Sequence, residues 1–117
     1  MLLDWIETLK KNRAMGATMM KAAPKMMQAY QEFNASQNGN GALDAKTKEL
    51  ISLAVAVTTR CEGCIAAHSN GAVKAGATEA EIADALGTAM AVNTGAAYVY
   101  SLKVMDAYRQ FSDAEAK

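Results

Sequence analysis

At 117 residues the chain is long enough for one modest core and short enough that association would add to its stability. Twelve basic and twelve acidic residues cancel, and neither sign is gathered in a block. That argues against a nucleic-acid partner, because phosphate binding leaves a basic face or stripe. One proline, few aromatics and abundant Ala, Leu, Met, Lys and Glu favour helices over sheet, so a single all-α domain over residues 1–117 is expected.

Residues Met1 to Thr8 include an early acid and no basic segment ahead of a long apolar run, which does not read as a secretory signal. The cytoplasm is the default compartment. From Asp4 to about Lys21, apolar positions at Trp5, Leu9, Ala14 or Met15, and Met19 predict a helix, with an interruption near Gly16. Pro24 suits the first turn of a second helix. There Met26, Tyr30 and Phe33 follow i, i+4, i+7 spacing and are expected to form a buried face. The methionines of these two helices are read as filler of an irregular core rather than as a ligand surface. Ser36 to Gly41 is the clearest loop.

Asp44 is placed to cap a third helix, with Leu50 to Val57 as a body expected to be buried nearly all round. Thr59-Arg-Cys-Glu62 has the form of a capping box, which predicts a fourth helix through Cys61, Cys64 and His68 to about Lys74, ending at Gly76. Thr78-Glu-Ala-Glu81 repeats the signature and opens a fifth. Its small residues, Ala85 and Ala89 among them, suit close helix packing. Gly95 is expected to bend it or divide it from a last helix carrying Tyr98, Leu102, Met105 and Tyr108, with a frayed tail after Phe111. The total is five to six helices. Ala85 to Leu102 has no charge, but Gly87, Thr88, Asn93, Thr94, Gly95 and Ser101 make it too weakly hydrophobic to insert readily in a membrane. It is expected to lie in the core or against another subunit.

The chemistry is concentrated in one segment. Both cysteines, Cys61 and Cys64, lie three residues apart, and the one histidine, His68, follows four residues later. Thiols so close cannot staple distant parts of a fold, and in a chain read as unexported they point to catalysis or metal binding. At about 100° per residue, Cys64 lies about 60° and His68 about 20° from Cys61, so all three share one helix face. An imidazole there can take a thiol proton, and a helix start favours the thiolate, which is the nucleophilic form. Glu49 precedes Cys61 by twelve residues. An antiparallel pair of helices would carry its carboxylate toward Cys64 and His68, where it could orient the base. On the residues alone a redox dithiol is favoured. A metal site of Cys61, Cys64, His68 and Glu49, or two merely buried thiols, remain open.

The pattern Glu-x11-Cys-x2-Cys-x3-His, filled by Glu49, Cys61, Cys64 and His68, resembles the alkylhydroperoxidase D-like group of the carboxymuconolactone decarboxylase superfamily. The flanks Leu43 to Ile51 and Gly76 to Ile82 are similar as well, and the likeness runs from about Pro24 to Tyr108. The resemblance implies an all-helical fold whose protomers assemble through helix packing, commonly as trimers or hexamers. It implies a peroxidase or disulfide oxidoreductase that reduces hydroperoxides and draws electrons from a lipoyl or thioredoxin-like dithiol, with no metal or organic cofactor. By that analogy Cys64 is the peroxidatic thiolate and Cys61 the resolving thiol, with His68 and Glu49 as the proton relay. The peroxidases of the group carry a further histidine just before the second cysteine, where this chain has Gly63. Two alternatives stand beside this reading: a non-catalytic redox-sensing or assembly module, and a decarboxylase-type enzyme acting on a small molecule.

Overall fold

In a computed structural model that describes residues 2–37 and 41–116, the chain forms five α-helices and, among those residues, no strand. They are α1 (Trp5–Ala22), α2 (Pro24–Ser36), α3 (Ala45–Thr59), α4 (Glu62–Lys74) and α5 (Glu79–Ala116). Asp4 caps α1, its carboxylate accepting the Glu7 N–H at 3.0 Å. The helix runs through Gly16 without the expected interruption. One glycine costs a helix only about 1 kcal/mol relative to alanine, too little to break a capped helix of this length. Ala23, driven out of the helical region by the proline that follows it, separates α1 from α2, and Pro24 occupies the first turn as expected.

α3 is the centre of the fold. It packs on both α4 and α5, while α1 lies on α4 and α2 lies on α1. Asp44 caps α3 by accepting the Thr47 N–H at 2.8 Å. Leu53 and Ala56 are buried, but Ile51 and Val55 are about half exposed, so this helix is not enclosed all round. Its neighbours cover two sides and leave a third open. Among the described residues the other buried apolar ones are Ala66, Ala72 and Ala89. Alanines at these contacts let the helices approach closely, at the expense of the buried area that larger side chains would supply.

The Thr59 capping box does not form. Thr59 is the last residue of α3, and its hydroxyl donates back to the Val55 carbonyl at 3.1 Å. Arg60 then adopts a left-handed conformation (φ 56°, ψ 46°), and Cys61, not Thr59, caps α4. The matching signature at Thr78 does form: Thr78 N–H donates to Glu81 Oε1 at 2.9 Å, and Glu81 N–H to Thr78 Oγ1 at 3.1 Å. α4 ends as expected, with Gly76 left-handed at φ 82°.

α5 is one helix of 38 residues, unbroken at Gly95 and helical through the polar tail to Ala116. At 1.5 Å per residue it is roughly 57 Å long. From residue 91 to 116 every position is exposed, including Val92, Tyr98, Leu102, Met105 and Tyr108. The expected face of α2 is likewise open, with Met26 60 %, Tyr30 60 % and Phe33 75 % exposed. Met15 and Met19 on α1 are exposed too, so these methionines do not fill a core within one chain. The loop expected over Ser36 to Gly41 begins where α2 closes, Ser36 Oγ donating to the Phe33 carbonyl at 2.7 Å; Asn38 to Asn40 lie outside the described residues. The radius of gyration is 20.2 Å, against about 13 Å for a compact domain of this length.

Candidate functional site: a dithiol helix start beside a Glu–His pair

The turn between α3 and α4 builds the site. The left-handed Arg60 reverses the chain, and both its own N–H and that of Cys61 donate to the Ala56 carbonyl, which closes α3. Cys61 is extended (φ −98°, ψ 99°), and its carbonyl accepts the first helical bond of α4 from Ile65 N–H at 2.9 Å. Its sulfur takes the place that an oxygen holds in most N-caps, accepting the Cys64 N–H at 3.2 Å. Cys61 thus stands at the mouth of the helix rather than within its first turn. Cys61 and Cys64 are joined in a disulfide, with their Cα atoms 5.2 Å apart.

One turn further along α4, His68 meets Glu49 from the second turn of α3. The His68 Nδ1–H donates to Glu49 Oε2 at 2.8 Å. Both side chains are partly buried, the imidazole 37 % and the carboxylate 26 % exposed. An ionised carboxylate only accepts, so this bond places the ring proton on Nδ1 and leaves the Nε2 lone pair free when the ring is neutral. The four residues therefore form two joined pairs, Cys61 with Cys64 and Glu49 with His68. No hydrogen bond links His68 to either sulfur among the described residues. The connection between the pairs is the single turn of α4 from Cys64 to His68.

A cavity of about 290 Å³ opens on the Glu–His side, lined by Leu43, Lys48, Ser52, Glu49 and His68 among others. Neither cysteine lines it. The Lys48 ammonium at its edge donates to the Gln37 carbonyl. Nearby, Lys46 on α3 pairs with Glu81 on α5 at 2.8 Å, tying together the starts of the two helices. The hydrogen bond to Glu81 raises the Lys46 ammonium above its ordinary value. The Lys46 side chain, and then the Thr78 N–H, hold the Glu81 carboxyl below its own. Hydrogen bonds from Thr47 hold Asp44 low. Among the described residues no group of three or more His, Cys, Asp and Glu side chains is arranged to hold a metal ion.

Two neighbours of the site were not singled out from the sequence. Asn12, on α1, lies against Gly63, where a built Cβ would stand 3.1 Å from its Nδ2. Gly71 lies beneath the Glu49 carboxylate. The only signal for Gly71 was a glycine inside an alanine-rich helix; nothing in the sequence marked Asn12.

An all-helical protein with a Cys-x-x-Cys disulfide at a helix start, one turn from a Glu-oriented imidazole, is a narrow class. The profile of the carboxymuconolactone decarboxylase family matches residues 24–107, and the chain belongs to that family. It is 56 % identical over 108 residues to an uncharacterised protein of Haemophilus influenzae, covering 92 % of this chain and 96 % of the relative. The fold is similar to the crystal structure of the apo form of a carboxymuconolactone decarboxylase family protein from Legionella pneumophila. The TM-score there is 0.72 at 34 % identity, covering 92 % of this chain and 96 % of the other. A protein from Methanobacterium thermoautotrophicum is similar over 76 % of this chain and 97 % of its own, with TM-score 0.70 and 28 % identity. No helix among the described residues is long and apolar enough to cross a membrane.

Proposed function

We propose that this chain is a cytoplasmic, alkylhydroperoxidase-like thiol oxidoreductase of the carboxymuconolactone decarboxylase family, cycling Cys61 and Cys64 between dithiol and disulfide. The observation that carries the reading is the disulfide placed one helical turn before an imidazole whose Nδ1 is occupied by a carboxylate. In the reduced protein His68 takes the Cys64 proton, and the thiolate attacks the outer oxygen of a hydroperoxide. The O–O bond breaks, the leaving oxygen collects the proton as an alcohol, and Cys64 becomes a sulfenic acid. The Cys61 sulfur then attacks Cys64, water leaves, and the disulfide forms. An external dithiol of the lipoyl or thioredoxin type reduces the pair by exchange through a mixed disulfide, becoming a disulfide itself. Glu49 fixes the ring tautomer and balances the imidazolium charge.

The working unit in this proposal is a homo-oligomer, a trimer or hexamer of this chain. A protomer whose core, among the described residues, is Leu53 and four alanines, and whose long helix exposes an apolar half, lacks the burial that a free-standing domain of this length needs.

The chemistry is tested by adding one equivalent of hydroperoxide to fully reduced protein and counting thiols. Loss of two thiols per chain with one equivalent of alcohol formed is expected. Retention of both thiols with the peroxide unconsumed would sink the proposal.

A further inference from the structure

We propose that Gly71 is a positioning residue for the site: its bare backbone is the place where the Glu49 carboxylate lies while accepting the His68 Nδ1–H. The functional weight of this inference rests on the dithiol cycle proposed above, but its structural half can be read without any turnover.

A Cβ built on Gly71 would stand 2.6 Å from the Glu49 carboxyl carbon and 2.7 Å from each of its oxygens. Non-bonded carbon atoms sit comfortably at about 3.5–4.0 Å, so a side chain here and the observed carboxylate cannot share the space. The other reasons for a glycine do not apply. Gly71 lies inside α4, and the positive-φ glycines among the described residues are Gly41 and Gly76. No left-handed turn calls for it, and in a helix rich in alanine it is the poorer helix former. His68 and Gly71 are three residues apart on one face of α4. The carboxylate reaching across from α3 therefore touches both, bonded to the first and resting on the backbone of the second.

The atoms that a methyl group at position 71 would displace belong to the far end of a flexible side chain. Such a group would leave the helix intact and push the Glu49 carboxylate off His68. The expected consequence is a folded protein with an unheld imidazole.

His68 is the one histidine in the chain, so its ring nitrogens can be observed without ambiguity by 15N NMR. The oxidised protein is compared with Gly71→Ala, Glu49→Ala and the double variant at alkaline pH, where the ring is neutral. In the wild type Nδ1 is expected to carry the proton and Nε2 to show the unprotonated shift. In Gly71→Ala both shifts should move toward a tautomer average and match those of Glu49→Ala, with the double variant unchanged from Glu49→Ala. The rate of thiol oxidation by hydroperoxide should fall roughly tenfold or more in Gly71→Ala, and by no further factor when Gly71→Ala is added to Glu49→Ala. If Gly71→Ala melts below the wild type, adding Glu49→Ala should bring the melting temperature to that of Glu49→Ala alone or above it, since alanine is the better helix former. Retention of the Nδ1–H tautomer in Gly71→Ala overturns the inference, as does a double variant that melts below Glu49→Ala alone. An equal loss of rate from Gly71→Ala with and without Glu49 overturns it too. A tautomer change in Gly71→Ala, together with a wild type that consumes no hydroperoxide, supports the placement of Gly71 and overturns the peroxidase reading instead.

Discussion

Glu49 accepts a hydrogen bond and donates none once ionised, and that limits what His68 does. With Nδ1–H committed to the carboxylate at 2.8 Å, the neutral ring has Nε2 left to take or return a proton. Glu49→Gln keeps a group of nearly the same shape but removes the charge that balances the imidazolium. We expect it to slow thiol oxidation by about 10–100-fold, read by stopped-flow thiol loss, while the disulfide still forms in the end. Cys64→Ser should abolish internal disulfide formation, and full turnover in that variant would reject the division of labour between the thiols. The types and spacing of the four candidate residues were legible in the sequence, because helical phase and a short interhelical turn carry that information. Gly71 and Asn12 were not. What each of them touches depends on which part of another helix packs there, and no local pattern encodes that. Gly63 shows the same dependence: where the peroxidases that the chain resembles carry a second imidazole, α1 places Asn12 against the backbone.

At the scale of the helix, two identical signatures had different outcomes. Thr78 and Glu81 form their reciprocal box, whereas Thr59 is drawn into the end of α3 and turns its hydroxyl back to Val55. The difference is Arg60, whose left-handed conformation ends one helix and lets Cys61 begin the next. A four-residue pattern does not report that its first residue already belongs to another helix. Gly16 and Gly95 misled in the opposite direction, since a single glycine weakens a long helix without ending it. The caps that do form give a pH dependence with a definite sign. The carboxyls of Asp44 and Glu81 are held below their ordinary values. Their contribution is complete above the unfolded carboxylate range, about pH 4, and is lost as pH falls through the lower folded values. Lys46, held high, acts in mirror image: its share is present below the ordinary lysine value and is lost as pH rises through the folded one. Thermal unfolding should therefore move to lower temperature on acidification, and Glu81→Gln should flatten part of that fall. An unchanged acid slope in Glu81→Gln would show that the pair with Lys46 adds nothing to stability.

The whole molecule is the scale at which sequence reading was weakest. Periodicity shows which face of a helix is apolar but not what covers it. Thus Met26, Tyr30 and Phe33 were expected inside and lie open, as does the second half of α5. These surfaces underlie the proposed assembly. Sedimentation at micromolar concentration should give a mass several times that of one chain, and Leu102→Asp on the exposed stripe should lower it. A wild type that sediments as a single chain would contradict the assembly. The central claim is that the disulfide turns over rather than registering a single event. Its most direct measurement is hydroperoxide consumption by catalytic amounts of this protein with dihydrolipoyl dithiol in excess. The account predicts many equivalents of peroxide reduced per chain, each matched by one oxidised dithiol, and no such turnover in Cys64→Ser. Consumption that stops at one equivalent per chain would contradict it and identify a sensor instead.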